Sequence, residues 1–292
     1  MKNIFKSSLA VLIGLSLTLA SCKKAETTTG GNTTPETFST TKKALFLYYT
    51  GSQCNPCGSA GIPNYEGIVN DLNMKSKVVG VMVHTNAPAF DSIADVGSGT
   101  AGGDLLSLIV SNNSYSVPTF LVFPNAPSSG SAGTAKAQYA GYVNTFAAQA
   151  PVAAVNVSIK NVDGIYNVTT RTKFLKADNG TFKVSAWVLE DGIVFQQVKN
   201  GALVRPYTHN DVLRGKFCTS TYGDDLVSGA VTEGQIVEKT LLGTIPFTNP
   251  TNPLKNWSKS NLSVVVVVWR HTVSGTTTVV EVLNCDRVAL PL

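Results

Sequence analysis

The sequence predicts an alternating α/β domain over residues 42–150, followed by an all-β sandwich over residues 151–292. Three observations predict it. Up to about residue 150, apolar runs of strand length alternate with helical stripes, an order that implies a mixed sheet with crossover helices. From Pro151 onward the texture changes to short strands separated by turn signals, the pattern of a sandwich. The composition is also that of a folded chain: 43% of the 292 residues are hydrophobic and 14% are charged, which excludes disorder as the main state. At roughly 150 residues per domain, that length accommodates two cores.

The first 21 residues read as a leader. Lys2 and Lys6 precede twelve apolar or small residues, Leu9–Ala20. A membrane-spanning helix needs about 20 such residues, so this is a signal peptide and not an anchor. Leu19-Ala20-Ser21-Cys22 follows, and then Lys23-Lys24. This resembles the lipobox of bacterial lipoproteins, which implies cleavage before Cys22 and acylation of its sulfur. Several acyl chains on one residue give stable attachment, where a single chain is marginal. Residues 22–41, rich in Thr, Gly and Pro, are expected to be a flexible tether. Loss of the two leader lysines takes the net charge from +5 to +3. With no basic run longer than two residues, the charge gives no case for nucleic-acid binding, and none is expected.

The next elements build the first domain. Ala44–Tyr49 is a continuous apolar strand that ends in Thr50-Gly51-Ser52, and Cys54-Asn55-Pro56-Cys57 comes directly after. Tyr65, Ile68, Val69 and Leu72 then form a helical stripe. Val78–His84 predicts a second strand and Asp104–Val110 a short helix. Val117–Phe123 predicts a third strand, led by Pro118, and Gln138–Val143 a fourth.

With a strand before it and a helix after it, Cys54-Asn55-Pro56-Cys57 resembles the redox motif of the thioredoxin fold. Val117-Pro118-Thr119 is similar to the proline segment that faces that motif across the site. The resemblance makes the first domain thioredoxin-like. It implies Cys54 as attacking thiolate, Cys57 as resolving thiol, and Pro118, Val117 and Thr119 at the substrate. The chemistry suits the placement: unsatisfied N–H groups at a helix start lower a thiol pKa and raise its reactivity. The chain departs from the pattern at Gln53, where many thioredoxins carry Trp. It also lacks a carboxylate in Leu45–Tyr49, and Gly58, Gly61 and Pro63 weaken the helix start. A permanent, inert Cys54–Cys57 bridge therefore stands as the alternative. A zinc site is not expected, because no second C-x-x-C or C-x-x-H supplies the remaining ligands.

If Cys22 carries lipid, Cys218 and Cys285 are left as the other cysteines of an oxidising compartment. A bridge across their 67-residue separation would add about 4 kcal/mol by loop entropy. Two buried free thiols is the other reading.

In the second domain, Val152–Ile159 and Tyr166–Lys173 flank the hairpin signal Asn161-Val162-Asp163-Gly164. Phe182–Leu189 and Ile193–Val198 flank a second, Glu190-Asp191-Gly192. Ile236–Leu242, Leu262–Arg270 and Thr277–Leu283 complete six or seven strands. Thr50-Gly51-x-x-Cys54-x-x-Cys57, Leu189-Glu190-Asp191-Gly192 and Tyr207–Arg214 occur in an order that resembles the Omp28-related outer membrane lipoproteins. That family implies a thioredoxin-like domain fused to a β-sandwich at the outer membrane, with no defined activity.

His84, at a strand end, could touch a substrate or hold a structural hydrogen bond, and the second reading is preferred. His209 and Arg214 are expected to make interdomain contacts, and His271 to sit in an exposed turn. G-x-S-x-G, H-E-x-x-H and the P-loop do not occur, and the G-x-G-x-x-G spacing at Gly97–Gly102 falls in a stretch read as a loop without the Lys-Ser/Thr of a phosphate cradle, so hydrolase, NTPase and nicotinamide chemistry have no support and no cofactor is expected. Two functions remain: thiol–disulfide exchange on envelope proteins that carry disulfides, or a surface binding module stapled by the C-x-x-C.

Overall fold

A computed structural model describes residues 38–87, 91–94, 100–110, 114–124, 128–129, 135–249, 256–274 and 277–291. The leader, Cys22 and most of the tether lie outside them.

Strand β1 (Ala44–Thr50) is buried along its whole length because both of its faces are covered. On one face Phe46 and Tyr48 stack with Tyr65, Phe120 and Tyr139, with ring centroids 4.7–5.8 Å apart. On the other face the Tyr49 hydroxyl donates to the Leu105 carbonyl at 2.8 Å. Beyond the C-x-x-C, a π-helical turn (Cys57–Gly61) runs into α1 (Ile62–Val69), which ends before the expected stripe does and leaves Leu72 77% exposed. β2 (Val78–His84) pairs parallel to β1. α2 (Ala101–Leu106) carries Leu105 beneath Tyr49, and β3 (Thr119–Val122) runs antiparallel to β1. β4 (Ser128–Ser129) is a short edge. The expected strand at Gln138–Val143 is instead part of α3 (Ala135–Ala147). Its buried Tyr139, Val143 and Phe146 recur at helical spacing, and the shorter apolar run had hidden that period.

Ten strands follow. β5 (Ala153–Val162) and β6 (Ile165–Phe174) form the expected hairpin, with Asp163 and Gly164 at positive φ in its turn. β7 (Asp178–Glu190), β8 (Ile193–Lys199), β9 (Ala202–His209), β10 (Val212–Lys216) and β11 (Asp224–Val231) come next. β12 (Ile236–Gly243), β13 (Leu262–Ser274) and β14 (Thr277–Ala289) close the chain. The expected pairing of β7 with β8 through Glu190-Asp191-Gly192 does not form. β8 pairs with β9 alone, and β7 lies between β13 on one side and β10 and β11 on the other. His271 lies within β13 opposite Val280, not in a turn.

The principal sheet has nine strands, in the order β14-β13-β7-β10-β2-β1-β3-β4, with β11 also on β7. Its two halves meet where Val212 of β10 bridges Met82 of β2, and the Met82 N–H donates to the Asp211 carbonyl at 2.8 Å. A three-stranded sheet, β12-β6-β5, and the β8–β9 ribbon complete the architecture. Strands take 50% of the described residues and helices 16%. That balance overturns the expected α/β thioredoxin-like domain followed by an all-β sandwich. The protein is predominantly β and sandwich-like, and β1, β2 and β3 are strands of the same sheet as β7, β10, β13 and β14. The local alternation of the first half was read correctly as elements through β3, and wrongly at Gln138–Val143. What it could not show is that their sheet continues into the second half, because strand pairing across more than a hundred residues leaves no local period.

Candidate functional site

Gly51 and Ser52 carry the chain out of β1, and Cys54 and Cys57 close a disulfide with their Cα atoms 5.2 Å apart. Two groups meet the Cys54 sulfur. The Cys57 N–H donates to it at 3.2 Å, and the Val117 carbonyl oxygen lies 3.7 Å away. In the reduced pair, that N–H would favour the charged thiolate. The Val117–Pro118 peptide bond is cis, and the Thr119 hydroxyl braces the segment by donating to the Ser116 carbonyl at 2.7 Å. The sequence-predicted residues Cys54, Cys57, Val117, Pro118 and Thr119 are thus brought to one place.

A groove of 390 Å³ opens beside the sulfur, lined by Cys54, Asn55, Pro56, Ala87, Tyr115, Ser116 and Val117. None of these carries a charge. Cys57 does not reach the groove. It is fully buried, and its carbonyl accepts from the Tyr48 hydroxyl at 3.1 Å. Cys54 is itself only 2% exposed, so the groove presents an edge of the sulfur and not its whole surface.

His84 has a structural partner. Its Nδ1 lies 2.8 Å from Asp91 Oδ2, and the same oxygen accepts the Ser52 N–H at 2.7 Å. Burial raises the Asp91 carboxyl, but His84 and the N–H groups of Ser52 and Ile93 outweigh it and hold the group below the usual carboxylate range. His209 stands edge-on to His84, with centroids 4.9 Å apart, and its Nε2 is 3.2 Å from the Gln196 carbonyl. Burial and the neighbouring His84 push the His209 imidazole down to about 3, so it is neutral. Arg214 pairs with Glu190 at 3.4 Å, with both side chains under 5% exposed, and Glu190 also accepts the Ser258 N–H at 2.6 Å. His84 has the structural hydrogen bond preferred for it. Of the interdomain contacts expected, His209 meets His84 of the first half by its ring but hydrogen-bonds within the second, and Arg214 pairs within the second half, with Glu190. Sequence reasoning did not link Asp91 to His84, which it follows by seven residues.

Cys218 and Cys285 are free and buried, so the bridge considered for them is absent. Each thiol has its own acceptor, the Ala186 carbonyl at 3.8 Å and the Lys43 carbonyl at 3.3 Å. Burial pushes the Cys218 thiol up to about 11 and the Cys285 thiol higher still. Among the described residues, no cluster of three or more His, Cys, Asp or Glu side chains is placed to hold a metal. No described helix is long and apolar enough to cross a membrane.

Sequence reasoning also missed Gln197. It is fully buried, and its Nε2 shares its two N–H groups among three carbonyls, Val198 at 3.1 Å and Gly51 and Cys54 both at 3.3 Å. Nothing in the linear order links β8 to a motif more than 140 residues earlier.

Comparison with known proteins places the chain. Among solved structures, HBP35 of Porphyromonas gingivalis is similar in fold, with a TM-score of 0.63 and 18% identity over 87% of this chain and 77% of that one. Protein AGR_C_4864 from Agrobacterium tumefaciens aligns with a TM-score of 0.49 and 14% identity, over 86% of this chain and 96% of that one. No curated protein matches the chain. The family described as outer membrane protein Omp28 matches residues 133–290, which leaves Cys54, Cys57 and Pro118 outside the matched span. The match takes in α3 and every strand from β5 to β14, more than half of the sequence, and by it the chain belongs to the Omp28 outer membrane protein family.

Proposed function

We propose that this outer membrane protein carries out thiol–disulfide exchange at Cys54 and Cys57. The observation that carries the reading is the placement of the Cys54 sulfur. It faces an uncharged groove, with the Val117 carbonyl on one side and the Cys57 N–H on the other. In the reducing direction, the Cys54 thiolate attacks one sulfur of a substrate disulfide, forms a mixed disulfide and expels the other sulfur as a thiolate. Cys57 then loses its proton and attacks Cys54, which expels the second substrate thiolate and restores the Cys54–Cys57 bond. The substrate gains two electrons and the cysteine pair loses them, so turnover requires a thiol donor to reduce the pair. Run backwards, the same steps oxidise a substrate dithiol. Val117 and Pro118 would lie along the substrate chain, and Thr119, bonded to Ser116, would keep their segment in place.

The substrates in this reading are envelope proteins with disulfides. Lipid on Cys22 would hold the protein at the membrane through the 22–41 tether. Fractionation tests the anchor: Cys22→Ser should move the protein from the membrane to the soluble fraction, and retention of the variant in the membrane contradicts it.

A second reading is supported by burial. Cys54 is 2% and Cys57 0% exposed, values suited to a staple in a binding or assembly protein. Alkylation separates the two. After mild reduction, exchange requires selective modification of Cys54 near pH 6. A staple resists the reagent, and function survives Cys54→Ser as long as the fold does.

A further inference from the structure

Among the described residues the β8–β9 ribbon pairs with no other sheet, yet it lies directly on the C-x-x-C turn. The Val198 N–H donates to the Ser52 carbonyl at 2.8 Å, just before the first cysteine. The ribbon's Asn200-Gly201 turn, with both residues at positive φ, aims its two N–H groups at the same segment. The Gly201 N–H donates to Asn55 Oδ1 and the Asn200 N–H to Ser59 Oγ, each at 2.8 Å. Gln197 then reaches the carbonyls of Gly51 and Cys54, sharing its amide N–H groups between them and the neighbouring Val198 carbonyl. The ribbon therefore grips the segment on both sides of the disulfide. Its close approach depends on Gly58, where a Cβ would stand 2.2 Å from the Val198 carbonyl oxygen.

Gln197 is an odd residue to bury for packing alone. Its side chain is wholly enclosed, and its Oε1 has no hydrogen-bond partner. An apolar residue of the same volume would avoid that desolvated oxygen. What such a residue could not do is hold the Gly51 and Cys54 carbonyls.

We propose that Gln197 is a positioning residue of the Cys54–Cys57 pair, and that the β8–β9 ribbon is the clamp through which it sets the redox equilibrium. The inference rests on the exchange reading for its purpose, though not for its test. A disulfide forms more favourably when its two thiols are held at bonding distance, because the effective concentration of one at the other rises. The clamp fixes Gly51, Ser52 and Cys54 ahead of the bridge and Asn55 and Ser59 around it. Loosening it lowers that effective concentration and shifts the equilibrium toward the dithiol.

The test is the equilibrium of the pair with dithiothreitol, read by alkylation and mass spectrometry of the full chain, with thermal melting as control. Gln197→Met keeps the volume and removes the donor. It should shift the equilibrium about tenfold toward the dithiol, which is about 30 mV for a two-electron couple. Asn55→Ala, at an exposed site that loses the Gly201 bond and the bond the Ser59 hydroxyl donates to the same oxygen, should shift it in the same direction, and it decides the matter if Gln197→Met does not fold. Constants within twofold of the wild type in the folded variants overturn the proposal. The exchange reading is judged separately, by wild-type turnover of a protein disulfide. Its failure would leave the Gln197 shift readable, as the setting of a staple.

Discussion

The Cys54 sulfur lies 3.7 Å from the carbonyl oxygen of Val117, a residue 63 positions later in the chain. The contact joins the turn after β1 to the segment before β3, and it leaves Cys54, not Cys57, at the groove. The roles of the two thiols follow from it. Cys57→Ser should accumulate a stable mixed disulfide between Cys54 and a substrate protein, visible as a reducible adduct on gels. Cys54→Ser should form none. Adducts formed equally by both variants would contradict the assignment.

Gly58 sits under the ribbon with no room for a side chain, since its Cβ position is 2.2 Å from backbone, which cannot swing aside as a flexible side chain can. Gly58→Ala should therefore lift β8 and destabilise the fold by about 1–3 kcal/mol, the usual cost of overpacking. The same variant should speed reduction of the disulfide by a water-soluble phosphine. Denaturant melts and reduction rates check both effects. Wild-type values in both would mean that the ribbon yields freely.

The Glu190–Arg214 pair is almost fully enclosed, with side chains 4% and 3% exposed. Removing one partner leaves a buried charge without compensation, so Arg214→Met should cost about 3–5 kcal/mol. Burial already raises the Glu190 carboxyl, against the Ser258 N–H and Arg214, and loss of Arg214 should raise it further. Replacing both residues by apolar ones should recover much of the loss. Urea melts of the single and double variants measure it, and a double variant no better than the single one would refute this account of the pair.

His209 gives the stability a pH dependence. Its folded value, about 3, lies below the ordinary 6.5, so between these limits the unfolded chain takes up a proton that the folded chain refuses. Its contribution is complete above pH 6.5 and is lost as the pH falls, at no more than about 1.4 kcal/mol per pH unit. Asp211 acts in the opposite sense, because burial raises its carboxyl despite the Arg287 guanidinium. His209→Gln should flatten the decline between pH 6.5 and 4. An unchanged slope in urea melts across that range would show that His209 is not its source.

What could be read from the sequence was local. The continuous apolar run Ala44–Tyr49 marked β1, Asp163-Gly164 marked the β5–β6 turn, and Cys54-x-x-Cys57 with Val117-Pro118 marked the site. What escaped was long-range. Val212 bridging Met82 merges the two halves into one sheet, and no period in either segment encodes that bridge. Glu190-Asp191-Gly192 carried a hairpin signal, and Gly192 does adopt positive φ, yet β7 pairs with β13 and β10 instead. β13 carries the valine-rich run Val264–Val268, every residue of which pairs with β7. Gln197 and Asp91 were invisible for the same reason, since each acts on the C-x-x-C turn across the fold.

The central claim is that Cys54 and Cys57 are an exchanging pair, and the equilibrium reduction potential of that pair in the full chain tests it most directly, with the Cys54 thiolate pKa read in the same titration. The expected result is a potential between about −120 and −270 mV with a thiolate pKa below about 7.5, the range of known exchangers. A potential below about −300 mV would contradict the claim and make the bridge a structural staple.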